Sequence, residues 1–305
     1  MWKYLLYYIA FHVLGRLPLP LLYGLANLIG DAAYCLAGNA RRNVWDNLRH
    51  VMPAGTPRRQ MARAARQVFR NVTLYYADMA RLPRIDAHEF FDRQLVTFGL
   101  EEHLMSAVRS GKGVVMLTGH YGNPEMAAQA LVALGVPALI LTEPVQPPPL
   151  SRLMDRFRSS QGLTFMPVGV AGVKRVMQTL RRGGVVALTG DRDIQGPKEM
   201  LPFFGAETLM PTGPIEVALR TGATVVPCFS LRKKHGRYEA YMEPPLDLTP
   251  TGDLREDVRR GELQFLERFE RRVREHPEQW AVLEAVWDSA AQPGRRQPAA
   301  AGRKS

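Results

Sequence analysis

The sequence predicts an α/β fold, with a largely parallel central sheet flanked by helices and an apolar helical segment at the N-terminus. Three observations carry this. Short apolar runs of strand length recur at 113–118, 137–142, 184–189 and 224–229. Helical stretches alternate with them, near 124–134, 149–161, 171–182 and 212–221, and alternation of this kind favours a parallel sheet covered on both faces. The first forty residues are the most apolar part of the chain. The 305 residues suffice for one large domain or two modest ones. A composition 46% hydrophobic and 23% charged excludes disorder over most of the length.

Residues 1–40 are two apolar pieces. Trp2, Tyr4, Leu5, Leu6, Tyr7, Tyr8, Ile9, Ala10 and Phe11 open the first, with Lys3 its charge; Arg16, Pro18 and Pro20 interrupt; and 21–37 is apolar again except for Asp31. A spanning helix needs about 20 apolar residues, and the prolines leave two shorter pieces. The early aromatics suit a headgroup region, and Arg41 and Arg42 favour a cytoplasmic side for the chain beyond them. The segment has no cleavage pattern of a signal peptide. It reads as a membrane anchor, interfacial or partly inserted, against the alternative of two core helices.

Residues 41–95 read as helical and basic. Arg58, Arg59, Arg63, Arg66 and Arg70 share a stretch whose apolar positions include Met61, Ala65, Val68 and Phe69. The arginines are either a solvated helix face or a face turned to a membrane. After the fourth strand, 237–242 looks like a further strand closing a hairpin, and 253–274 is a charged helix. Residues 290–305, rich in Ala, Pro, Gly and Arg, read as a disordered tail. The organisation is therefore an anchor over 1–40, an α/β domain over 41–289 and a tail.

The net charge of +11 points to an anionic partner: membrane lipid, nucleic acid or a phosphorylated substrate. Two cysteines, Cys35 and Cys228, exclude a disulfide framework and a Cys-rich zinc site.

The first strand runs into Gly119-His120-Tyr121-Gly122-Asn123-Pro124-Glu125. Ligands of open α/β sheets gather at the carboxyl ends of strands, where this His falls. Asn123 suits an N-cap and Pro124 the first helical position. The turn is short enough to fold Glu125 back onto the imidazole, which would keep one ring nitrogen protonated and the other free as a base. The chain has no Gly-x-Ser-x-Gly elbow and no Walker spacing around Ser110-Gly111-Lys112-Gly113. A base without an enzyme nucleophile implies that a substrate hydroxyl attacks. On spacing alone, a structural His at the strand end is an equal reading. The third strand ends in Gly190-Asp191-Arg192-Asp193, which suits a carboxylate metal site or a structural clamp. Phe203-Phe204-Gly205 falls on what reads as a long loop, and such loops are often functional. Its two phenylalanines are either core or the wall of an apolar channel.

Gly119-His-Tyr-Gly-Asn-Pro-Glu125, Gly190-Asp-Arg-Asp193, Pro202-Phe-Phe-Gly205 with Thr212-Gly-Pro214, and Pro277-Glu-Gln-Trp280 occur in that order. The set resembles the bacterial lipid A biosynthesis lauroyl/myristoyl acyltransferase family, which includes the phosphatidylinositol-mannoside acyltransferases of actinobacteria. Arg41-Arg-Asn-Val-Trp-Asp-Asn-Leu48 is similar to the N-terminal region of that family, and the likeness runs from about residue 5 to 288. Asp191-Arg192-Asp193 is nearer the actinobacterial type than the Asp-Gln-Asp of lipid A enzymes.

The resemblance implies a glycerolipid-acyltransferase-like fold at the cytoplasmic face of the inner membrane. It implies no metal or bound cofactor and no nucleic-acid partner. Acyl carrier protein or acyl-coenzyme A would be the donor substrate, and a glycolipid or phospholipid the acceptor. His120 maps to the catalytic base and Glu125 to its partner. Glu143 and Arg158 map to polar residues lining the site. Asp191, Arg192, Asp193, Phe203, Phe204 and Gly205 are expected on the substrate side, with Arg158 and Arg192 available to phosphates. Oxyanion donors are expected among backbone N–H groups of the glycine-rich turn or near Gly205. The rivals are a metal-dependent hydrolase using His120, Asp191 and Asp193, and a non-catalytic basic membrane-binding or nucleic-acid-binding protein.

Overall fold

The computed structural model describes residues 8, 11–143, 145, 148–192 and 196–287. Asp193 and the expected tail at 290–305 lie outside them.

The sheet has seven strands. They are β1 (Leu95–Phe98), β2 (Val114–Thr118), β3 (Ala138–Thr142), β4 (Thr164–Pro167), β5 (Val185–Thr189), β8 (Thr224–Arg232) and β9 (Tyr238–Met242). A separate hairpin, β6 (Lys198–Phe203) and β7 (Ala206–Pro211), lies between β5 and β8 in the chain. The sheet order is β1-β9-β8-β2-β5-β3-β4, and every pairing is parallel except β8 with β9. The expected parallel sheet and closing hairpin are both there. The expected long loop before residue 212 is instead the β6–β7 hairpin, with Phe204-Gly205 at its tip. Both tip residues have positive φ, 50° and 77°, as a two-residue hairpin turn of the I′ type requires.

All five residues of the central strand β2 are buried. Val115 and Leu117 join one apolar cluster with Val186, Leu139, Phe265 and Phe269, whereas Val114 and Met116 join the other with Val185, Ala138 and Val226. The two-residue period of a strand thus feeds two cores, one on each face of the sheet.

The helices are α1 (Leu19–Leu36), α2 (Gly38–Val51), α3 (Arg58–Arg81), α4 (Ala87–Gln94), α5 (Pro148–Arg158), α6 (Val170–Arg181), α7 (Gly213–Thr221) and α8 (Leu254–Glu275), with several shorter turns. In α3 the apolar positions Met61, Ala65, Val68 and Phe69 are buried, while Arg58, Arg59, Arg63 and Arg66 are exposed. α1 is long and apolar enough to be a candidate membrane anchor. It lies along α3, burying the stripe Leu22, Ala26 and Gly30 at four-residue spacing. A Cβ added at Gly30 would lie 2.7 Å from the Cα of Arg70, so the small residue permits the close approach. Asp31 accepts hydrogen bonds from Arg66 and Arg70, which hold its carboxyl well below the usual carboxylate range. The opposite face of α1 exposes Leu21, Leu25, Leu28, Ile29 and Leu36, with Leu28 66% and Leu36 84% exposed.

Candidate active site

β2 and β5 run side by side in register, pairing Thr118 with Thr189. Gly190 N donates to Thr118 O at 2.9 Å, extending the alignment past both strand ends. Two residues beyond that last pair stand His120 and Asp191. The imidazole Nδ1 lies 2.8 Å from Asp191 Oδ1, and the His120 backbone N–H donates to Asp191 Oδ2 at 2.9 Å. Trp280 Nε1 donates to the same Oδ2 at 2.9 Å. Asp191 is wholly buried, and the His120 side chain is 31% exposed. Burial alone would raise the Asp191 carboxyl. The electrostatic attraction of His120 and the hydrogen bonds from the imidazole, the His120 backbone and Trp280 outweigh it and hold the group below its ordinary value. An ionised carboxylate only accepts, so Nδ1 carries the proton in the neutral ring and Nε2 keeps its lone pair.

The turn between β2 and the next helical turn, Pro124–Ala127, is fixed on several sides. Tyr121 bridges to Trp280, Gly122 N donates to Gln279 O and Ala281 N donates to His120 O. Ser230 Oγ on β8 donates to Tyr121 O at 2.8 Å and accepts from Asn123 N at 3.0 Å. Gly122 has φ +64°, and a Cβ there would lie 2.1 Å from Ser230 O, so no other residue fits. Asn123 caps the helical turn, its Oδ1 accepting from Met126 N at 3.2 Å.

Glu125 does not reach the imidazole. After Gly122 reverses the chain, Pro124 starts the helical turn and directs Glu125 between α3 and α5. There its Oε1 accepts from Tyr75 OH at 2.5 Å and pairs with Arg158 Nε at 2.8 Å. Burial raises the Glu125 carboxyl, against the opposing pull of Arg158 and Tyr75. Glu125, the residue expected beside His120, is thus tied to Tyr75 and Arg158, and the carboxylate hydrogen-bonded to the imidazole is Asp191. Register carried the missing signal, because equal extension past two paired parallel strand ends brings residues 120 and 191 together.

The remaining expected site residues divide. Arg158 is buried and committed to Glu125 and Tyr75, so it does not offer itself to a phosphate. Arg192 stands beside Asp191 but pairs with Glu143 at 2.5 Å and Glu284 at 3.3 Å, which places Glu143 in the same ionic chain. Phe203 has no exposure and stacks on Phe269 and Trp287. Phe204 packs on Phe203 and Trp280 under the Arg274 guanidinium. Both sit in the core rather than on an open channel wall, because the hairpin turns their rings into the aromatic cluster. Gly205 is at the exposed tip. The backbone N–H groups of residues 120–123 all donate within the protein, so none of these four is a spare oxyanion donor.

Among the described residues no serine or cysteine is hydrogen-bonded to His120. Ser230 Oγ is engaged with the turn, Cys228 is buried on β8 and Cys35 lies on α1. A partly exposed imidazole, hydrogen-bonded to a buried carboxylate at the carboxyl end of a parallel sheet and, among the described residues, with no enzyme nucleophile beside it, has the geometry of a base that could activate a hydroxyl. The bacterial lipid A biosynthesis acyltransferase family model matches residues 1–289, and the chain belongs to that family; it is an acyltransferase. It is similar to the phosphatidylinositol mannoside acyltransferase of Mycobacterium tuberculosis (strain H37Rv), 31% identical over 230 residues, 73% of this chain and 69% of that protein. The enzyme of the same name from Mycolicibacterium smegmatis is 29% identical over 218 residues, 70% of this chain and 68% of that protein.

Proposed function

We propose that the protein transfers a fatty acyl group from a thioester donor, acyl-coenzyme A or acyl carrier protein, to a hydroxyl of a membrane glycolipid or phospholipid. The acceptor is of the phosphatidylinositol mannoside or lipid A type, and the names of the relatives favour the former. The observation that carries the reading is the His120–Asp191 pair with its free Nε2. The acceptor hydroxyl gives its proton to Nε2 as its oxygen attacks the thioester carbonyl. Asp191 keeps the ring oriented and stabilises the imidazolium. The tetrahedral intermediate collapses by breaking the C–S bond, and the imidazolium returns the proton to the leaving thiolate. One ester and one free thiol form, and no acyl-enzyme or bound cofactor is needed.

The apolar face of α1 supports association with a membrane surface. Because α1 is packed lengthwise on α3, the geometry favours lying in the interface over crossing it. The net charge of +11 favours an anionic leaflet, and we place the enzyme at the cytoplasmic face of the inner membrane.

The test is to incubate the purified protein with an isotope-labelled acyl thioester and acceptor lipid in vesicles, reading ester by mass spectrometry and thiol by a colorimetric reagent. Ester and thiol should appear one to one. Thiol release without any lipid ester would mean a hydrolase and would overturn the reading.

A further inference from the structure

Asp78, in the last turn of α3, lies outside the dyad and is buried. Its Oδ1 accepts from Tyr23 OH on α1 at 2.6 Å. Its Oδ2 accepts from Asn123 Nδ2 at 2.9 Å and from Tyr238 OH on β9 at 2.5 Å, and pairs with Arg232 Nη2 of β8 at 2.5 Å. Arg232 Nη1 adds hydrogen bonds to Tyr238 OH at 2.6 Å and Tyr23 OH at 3.3 Å. One carboxylate on α3 thus joins three parts of the chain far from one another in sequence: α1, the β8–β9 hairpin and the turn that carries His120.

A buried ion pair is a poor device for stability, since well-packed apolar residues often do as well, and its best-attested use is to fix one geometry. Here the geometry has an evident consumer. The segment 279–281 holds the His120 side of the turn, whereas Asn123 ends it and is tied down by Asp78. Base catalysis tolerates little misplacement, since an error of about 1 Å can cost roughly 100-fold in rate. Tyr23 is on α1, whose other face is the exposed apolar stripe.

Resting on the acyl-transfer reading, we propose that Asp78 is a positioning residue for His120. It acts through Asn123, and through Tyr23 it makes the seat of α1 and the catalytic turn one mechanical unit.

Two variants spare the buried pair. Asn123→Ser keeps an N-capping hydroxyl but cannot reach Asp78 with an amide. Tyr23→Phe removes only the α1 hydroxyl. Tyr34→Phe, another α1 hydroxyl but one that contacts Trp45, is the control. For each, kcat, donor KM, Tm and hydrogen–deuterium exchange of residues 119–126 are measured on the full chain with vesicle-borne acceptor. Asn123→Ser should lower kcat by about 10- to 100-fold with donor KM within about twofold, and should speed exchange in 119–126. Tyr23→Phe should do the same more weakly, by about threefold to tenfold, although the hydrogen bonds of the Tyr23 hydroxyl run to Asp78, Tyr238 and Arg232 rather than to that segment. Tyr34→Phe should leave kcat and that exchange at wild-type values.

Loss of Tm with wild-type kcat and exchange in Asn123→Ser would mean the network is structural only and would overturn the proposal. Unchanged exchange in Tyr23→Phe would remove the link to α1. A wild-type protein inactive on every acceptor would sink the acyl-transfer reading instead, and the exchange measurements would still decide whether Asp78 ties α1 to the turn.

Discussion

Glu262 lies in the middle of α8 with no exposure, and neither carboxylate oxygen has a hydrogen-bond partner among the described residues. Burial raises its carboxyl well above the usual range, which favours the protonated form in the folded protein. The unfolded chain releases that proton above its ordinary value of about 4.3. Between the unfolded and the raised folded value the native state binds the extra proton, so stability falls as pH rises across that window. The slope for one proton is about 1.4 kcal/mol per pH unit. Glu262→Gln removes the titration, so its stability relative to wild type should climb with that slope above about pH 4.3. Glu262→Met also removes the unpaired polar atoms and should gain roughly 1–3 kcal/mol more. Urea unfolding of the three proteins at a series of pH values reads both effects. Parallel stability–pH curves for wild type and Glu262→Gln would refute the reasoning, since Glu262 would then be titrating as it does in water.

Glu125→Ala leaves Arg158 and Tyr75 buried without their carboxylate and should destabilise by roughly 3–5 kcal/mol, read as a drop in Tm, so its activity loss will track the folded fraction. Replacing Leu21, Leu28 and Leu36 together with Gln should weaken flotation with anionic vesicles while leaving Tm near wild type, because these side chains contact solvent. Phe203→Ala opens a cavity among Phe269, Trp280 and Trp287 and should cost about 3–5 kcal/mol, with the preference for acyl length unchanged in donor competition.

The sheet was legible because its inner strands β2, β3, β5 and β8 are buried runs of Val, Leu and Ile between turn residues, the pattern of strands covered on two faces. The edge strands β1 and β4 escaped notice for the converse reason. Each is four residues long and half-exposed, with Val96 and Phe98 facing out, and leaves no apolar run. The β6–β7 hairpin hid behind its turn, since Phe204 is a non-glycine residue at positive φ.

In the site, the His120 motif was readable from a strand end leading into Gly, Asn and Pro. Its partner was not, because five residues along the chain looked nearer than seventy-one. Sequence distance misleads where two parallel strands stand in register, and the real neighbour of His120 is Asp191, two residues past the end of the adjacent strand β5. The ionic commitments of Arg158 and Arg192 were likewise invisible, since each depends on acidic residues delivered by other elements.

The central claim, that His120 and Asp191 act as one catalytic unit, is tested most directly by acyl-transfer rates of wild type, His120→Ala, Asp191→Asn and the double variant. Asn at 191 cannot accept as a carboxylate does and lets the imidazole take the wrong tautomer. Each single change should lower kcat by about 10²–10⁴, with all proteins folded, and the double variant should be no slower than His120→Ala. Wild-type turnover in Asp191→Asn, or losses that multiply in the double variant, would contradict the account.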